Sequence, residues 1–183
     1  MGKLDDGDAI IDFSIDGTQC PIWEPRPWSV IWSSHKFGGK PGVNYEIMLR
    51  LNKPELVWVF GPIPPGKYND CATFKLKLMQ QFPFWKRAVG DDGYRGLDEF
   101  ISLRNEFDPP ELAAFKERAM ARHENFNQRL KKWQVLTKRF RHGVGNHKTA
   151  FRAVCAITLY EIGNGSTSLF DPFPRETREE EEV

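Results

Sequence analysis

The strongest constraint in this chain is the rhythm of seven side chains: Leu112, Phe115, Ala119, His123, Phe126, Leu130 and Trp133. Steps of 3, 4, 4, 3, 4 and 3 bring them to one side of a long amphipathic helix that buries a single stripe. Pro109-Pro110 followed by Glu111 suits its first turn, where proline costs nothing and an acid meets the positive end. Glu124 lies twelve residues from Leu112, roughly 120° round the helix, beside Met120, Asn127 and Lys131. A carboxylate there can reach a metal at the rim of a sheet. It can equally be a solvated glutamate, and taken alone the residues favour that.

The helix sits in a basic neighbourhood. From Lys116 to Arg152 there are eleven Lys/Arg against two acids, Glu117 and Glu124. Arg175 to Val183 carries five glutamates and two arginines, so a net charge of +1 conceals one basic face and an acidic tail. Arg122, Arg129, Lys131, Lys132, Lys138, Arg139 and Arg141 are the side chains expected to meet phosphates, although a lone basic helix is more often just a solvated face. Cys20, Cys71 and Cys155 are odd in number and widely spaced, which argues against a disulfide framework and for a reducing compartment. No apolar run is long enough to span a membrane, and the acidic N-terminus does not read as a secretory leader, so a soluble intracellular protein is expected.

Ahead of the helix the chain alternates between strand and turn. Ala9 to Asp16 reads as a strand that ends at an aspartate before Gly17-Thr18, and Pro21 to Trp32 as an extended loop. Val43–Leu51 and Leu56–Phe60, joined through Asn52-Lys-Pro-Glu55, form a hairpin stopped by Gly61 to Gly66. Asn69-Asp70 caps a helix over 72–81. Phe84 to Gly90 is a strand running into Asp91-Asp92-Gly93-Tyr94, Phe100 to Arg104 a further short one, and His147 to Ile162 a last amphipathic helix. The expected division is an acidic extension over 1–8, one α/β domain over 9–172 and an acidic tail over 173–183.

Asp16 and Asp91 at strand ends and one acid in the long helix make chemical sense if they converge. Like charges within a few ångströms repel, so such a cluster needs a cation between its members. All-oxygen ligands point to Mg²⁺ or Mn²⁺, and two such ions suit phosphodiester chemistry. Spacing before glycine and tyrosine favours Asp91 over Asp92 as the second acid. His123, on the apolar stripe, reads as a core histidine. His142 and His147 read as phosphate contacts or caps rather than a zinc pair. Trp28 and Trp32 are candidates to stack on an extruded base.

Asp16-Gly17-Thr18, Gly61…Pro65-Gly66…Asp70, Gly90-Asp91-Asp92-Gly93-Tyr94-Arg95-Gly96, Arg122-His123-Glu124-Asn125-Phe126-Asn127…Lys131 and Arg139-Phe140-Arg141-His142 follow one another in this order. Together they resemble the DDE-superfamily endonuclease domain of PIF/Harbinger-type transposases, across nearly the whole chain. The resemblance implies a ribonuclease-H-like fold, a mixed central sheet flanked by helices. Its catalytic, metal-binding triad would be Asp16, Asp91 and Glu124, with Asp70 as a supporting acid. It also implies two divalent ions, Mg²⁺ or Mn²⁺, double-stranded DNA as substrate and a nuclear location. Gln19 departs from the histidine of many relatives, and only an acidic octapeptide precedes the first strand. A truncated or domesticated copy is therefore expected, with a separate DNA-binding protein supplying end recognition. The competing expectation is an inactive DNA-binding or protein-interaction module derived from a transposase.

Overall fold

The computed structural model describes residues 5–6 and 9–165; the tail over 173–183 lies outside the described residues. Six strands form one mixed sheet: β1 (Asp5–Asp6), β2 (Ala9–Pro21), β3 (Gly42–Arg50), β4 (Leu56–Ile63), β5 (Lys86–Val89) and β6 (Ile101–Ser102). The order across the sheet is β4-β3-β2-β5-β6, with β1 paired to the start of β2. β2 is the strand at which direction changes. It runs antiparallel to β3, which is antiparallel to β4, and parallel to β5, which is parallel to β6.

Among the described residues four α-helices accompany the sheet: α1 (Asp70–Lys77), α2 (Pro110–Leu130), α3 (Gln134–Thr137) and α4 (Val144–Gly163). The Asn69 side chain accepts the Ala72 N–H at 2.8 Å and satisfies one of the orphan donors that open α1. Pro110 and Glu111 open α2 as the sequence requires. The helical stripe is where the rhythm places it, with Leu112, Ala119, His123, Phe126 and Leu130 buried. α2 ends at Leu130, and Trp133 instead stands at the N-cap of α3.

Side-chain alternation divides the interior between the two faces of the sheet. On one face Tyr45, Ile47 and Leu49 of β3 meet Phe126 and Leu130 of α2 and Phe151, Val154 and Cys155 of α4. On the other, Phe13, Ile15 and Met48 meet Phe74 of α1, Phe82 and Tyr94. A smaller cluster joins Ile11, Leu51 and Val89 to Leu112 and Ala119 of α2. Ile11 and Phe13 belong to opposite faces because the pairing of β2 with β5 slips between them, leaving Asp12 as the extra residue of a bulge.

One expected boundary shifts in a way that matters for the site. β2 does not stop at Asp16 but continues through Gly17 to Pro21, because β3 pairs with it along that whole length, including Asp16 with Ile47 and Gly17 with Glu46. Its parallel neighbour β5 ends its pairing at Ser14 with Val89. Asp16 is therefore mid-strand toward β3 and past the strand end toward β5. β4 likewise runs on to Ile63 through Gly61. There φ is +142°, and a Cβ would stand 2.5 Å from the Tyr45 ring, so only glycine fits.

Candidate functional site: an acidic cleft at the tip of β5

The site begins with a match of spacings between β2 and α2. Ser14 Oγ lies 2.9 Å from His123 Nδ1, and Asp16 Oδ2 accepts from Asn127 Nδ2 at 2.9 Å. Two residues of strand advance ~6.7 Å and four residues of helix ~6 Å, so successive rungs fall nearly opposite. His123 is fully buried, and burial pushes its imidazole down to about 3, so it is neutral. It is the core histidine that its place on the stripe suggests, and it positions α2 over Asp16.

Asp16 also accepts the Gly17 N–H, at 2.7 Å. Its carboxyl is nonetheless pushed up to about 6 from an ordinary 3.8. Burial is the main cause; the charges of Asp91 and Asp70 add to it, while the Gly17 N–H and Lys36 oppose it. Asp91, at the tip of β5, accepts the Gly93 N–H at 2.9 Å and so starts the short turn over 92–94. Asp92 points to solvent and pairs with Arg95 at 3.1 Å. Asp91 is thus the acid that bears on Asp16.

Glu46 is a member that the sequence reading missed. It sits on β3 opposite Gly17, only 1% exposed, and accepts a hydrogen bond from the Tyr94 hydroxyl. Burial, followed by the adjacent Asp70, raises its carboxyl well above the usual range. Its other oxygen, Oε1, is buried with the Asp70 carboxyl, another acid, as its neighbour and no cationic or amide donor reaching it. Glutamate inside a strand of apolar residues carries one clue, that a buried acid requires compensation. Nothing in the local pattern says where that compensation comes from.

Asp70 links these acids from the first turn of α1. A Cβ on Gly93 would stand 2.9 Å from Asp91 Oδ1 and 3.0 Å from Asp70 Oδ2. One on Gly17 would stand 3.1 Å from Asp70 Oδ1 and 3.4 Å from Glu46 Oε1. The two glycines therefore keep open the space into which the carboxylates converge. None of Asp16, Glu46, Asp70 and Asp91 forms an ion pair with Lys or Arg among the described residues. Nor are three His, Cys, Asp or Glu side chains already set at metal-holding spacing among the described residues. The acids face one another without having closed on a common point. A buried carboxyl oxygen met only by another acid, together with hard oxygen donors, fits a divalent cation of the Mg²⁺ or Mn²⁺ kind.

Glu124 stands apart from this group. It is exposed on α2, three residues before Asn127, with Oε1 3.5 Å from Gln128 Nε2, and it is not among the charges that bear on Asp16. The basic set also divides. Lys131, Lys132, Lys138, Arg139 and Arg141 are exposed, as expected of phosphate contacts. Arg122 and Arg129 are 9% and 7% exposed, which takes them off the surface and corrects that part of the expectation. The buried side of α2 is wider than its apolar stripe because both the sheet and α4 cover it. Arg139 and Lys40 line a surface cavity of about 310 Å³, and the Arg139 guanidinium lies 5.6 Å from the exposed Trp23 ring. His147 is buried and bonded to the Tyr45 hydroxyl at 2.8 Å, while His142 is exposed beside Phe140, so the two do not form a metal pair.

Cys20 and Cys155 are buried free thiols, and burial pushes each up to about 12. Among the described residues no helix is long and apolar enough to cross a membrane. No family model, curated protein or solved structure matches the chain. What the fold and the site define is a mixed α/β protein with an open sheet and an acidic cleft at the tip of its central parallel pair.

Proposed function

We propose that the chain is a divalent-cation-dependent DNA nuclease and strand transferase of the DDE-transposase kind, on a ribonuclease-H-like scaffold. The observation that carries this reading is the gathering of Asp16, Asp70 and Asp91, with buried Glu46, at one sheet tip, where no Lys or Arg forms an ion pair with them among the described residues and Lys36 acts on Asp16 without pairing with it. Repulsion of this kind persists in a fold when a ligand offsets it. The strand order, three antiparallel strands continued by two parallel ones, supports the scaffold. In this scheme Asp16 and Asp91 are the first two acids of the triad, Asp70 supports them, and Glu124 joins from α2, one turn ahead of Asn127.

Asp16, Asp70 and Asp91 would hold Mg²⁺ or Mn²⁺. When bound, such ions lower the pKa of water and stabilise an oxyanion leaving group. Asn127 and the Gly17 N–H fix the Asp16 carboxylate, and the Gly93 N–H fixes that of Asp91. Lys131, Lys132, Lys138, Arg139 and Arg141 grip the backbone of the double strand. The working compartment is the nucleus.

The test is nicking of supercoiled DNA in Mg²⁺ or Mn²⁺, with Glu124→Gln as the control that decides the third acid. Nicking lost in Asp16→Ala, Asp91→Ala and Glu124→Gln, with folding retained, is the expected result. Nicking retained in any one removes that acid from the triad. The exposed position of Glu124, away from the other acids, favours a second reading: a DNA-binding module without catalysis. Under that reading no preparation nicks, and DNA binding survives loss of all three acids but falls steeply with salt.

A further inference from the structure

Asp16 and Glu46 belong to opposite faces of the sheet. Asp16 is paired with Ile47 and shares its face with α2, whereas Glu46 is paired with Gly17 and shares its face with α1. Alternation puts Asn44 on the Glu46 face as well, two residues back along β3. Over Gly17 oxygens from three residues come close together. A Cβ there would lie 3.1 Å from Asp70 Oδ1, 3.4 Å from Glu46 Oε1 and 3.6 Å from Asn44 Oδ1. Glu46 and Asn44 are 1% and 4% exposed, and Glu46 Oε1 is buried against the Asp70 carboxyl with no cationic or amide donor reaching it. Asp70 reaches both sides, with Oδ1 in this ring and Oδ2 beside Asp91.

We infer that Asn44, Glu46 and Asp70 form a divalent-cation pocket of their own on the α1 face, separate from the Asp16–Asp91 side and joined to it through the Asp70 carboxylate. This rests on the reading of Asp16 and Asp91 as cation ligands only for the count of ions; the pocket stands on its own oxygens. An ion that displaces the proton held by Glu46 would face two carboxylates and one amide, which balance a charge of 2+, and an all-oxygen set selects a hard ion. Oxygens stand ~2.0–2.6 Å from Mg²⁺ or Ca²⁺, so an ion would sit out from the Gly17 Cα, toward the three oxygens, and they would have to close on it there. Asp70 is half-buried, with room to turn, while Tyr94 fixes the far oxygen of Glu46. The absence of a side chain at Gly17 keeps the space open.

The experiment counts Mn²⁺ bound to the full chain, without DNA, by electron paramagnetic resonance and calorimetry. Wild type is expected to bind two ions. Glu46→Gln, which keeps an acceptor for Tyr94, and Asn44→Ala should each weaken one of them at least tenfold and leave the other. Gly17→Ala should do the same by placing a methyl group in the ring, and Asp91→Asn should weaken the opposite ion. Wild-type count and affinity in both Glu46→Gln and Asn44→Ala overturn the pocket, as does a wild type whose only ion ignores both changes. If Glu46→Gln shows no cooperative melt, Asn44→Ala and Gly17→Ala decide the matter by the same count. Two ions bound with no nicking keep the pocket and sink the nuclease reading. Nicking with an ion count indifferent to Glu46 and Asn44 keeps the nuclease and sinks the pocket.

Discussion

Asp12 and Asp16 stand four residues apart on β2 in opposite electrostatic surroundings. Asp12 Oδ2 accepts from Arg50 Nη1 at 2.9 Å and from Lys86 Nζ at 2.5 Å, and Arg50 is held in turn by Glu55 at 2.6 Å. Asp108 is treated the same way, pairing with the buried Lys116 Nζ at 2.9 Å. Asp16 has an amide and a peptide N–H for partners, with further carboxylates nearby. Where the protein needs a buried acid for structure it supplies a cationic side chain. At the tip of β5 no such ion pair forms among the described residues, Lys36 acting on Asp16 without pairing with it, and the proposed cation rests on that contrast.

The largest effect that can break this contrast is on nicking. Asp16→Ala and Asp91→Ala should abolish divalent-dependent nicking of supercoiled DNA, whereas Asp12→Asn should leave it intact. Loss in the Asp12 variant, or survival in the other two, would erase the distinction. Stability should show the reverse ranking. Asp12→Ala strands the partly buried Lys86 and leaves Arg50 with Glu55 alone, and should cost about 1–3 kcal/mol in urea unfolding.

Asp16→Asn, without divalent ions, should instead stabilise the fold at neutral pH by roughly 1–2 kcal/mol, discounted for partial exposure. The sign follows from its raised carboxyl, about 6 in the fold against 3.8 ordinarily. The folded state holds the proton more tightly, so stability should fall as pH rises from about 4 to about 6 and stay low above that. Urea titrations across that window should show the decline in wild type and a flatter profile in Asp16→Asn. The smallest effect belongs to the basic surface. Each of Lys138→Ala and Arg139→Ala should lower the salt slope of DNA binding by about one unit, and Arg122→Ala should leave it unchanged, since that side chain is buried.

Much of the scaffold was legible. The α2 stripe, the hairpin and the Asn69 cap rest on local periodicity and capping chemistry, and local signals suffice to place them. Asp16, Asp70 and Asp91 could be singled out because each adjoins turn residues or a helix start. Glu46 could not. It lies in a strand, and its significance comes from lateral pairing with Gly17 and from Tyr94, 48 residues away. The continuation of β2 through Gly17 was hidden for the same reason: glycine reads as a break until a neighbouring strand is known to run alongside. The burial of Arg122 and Arg129 depends on how much of α2 the sheet and α4 cover, a tertiary matter that charge patterning does not report.

The division of the interior into clusters on either side of the sheet has an evolutionary consequence. Phe74 and Tyr94 brace the side from which Asp70 reaches in, while Phe126 and Phe151 brace the side of Asn127. A substitution beneath one flank can re-aim its acid while the opposite flank keeps its grip. The two flanks can therefore accept substitutions one at a time, without dismantling either.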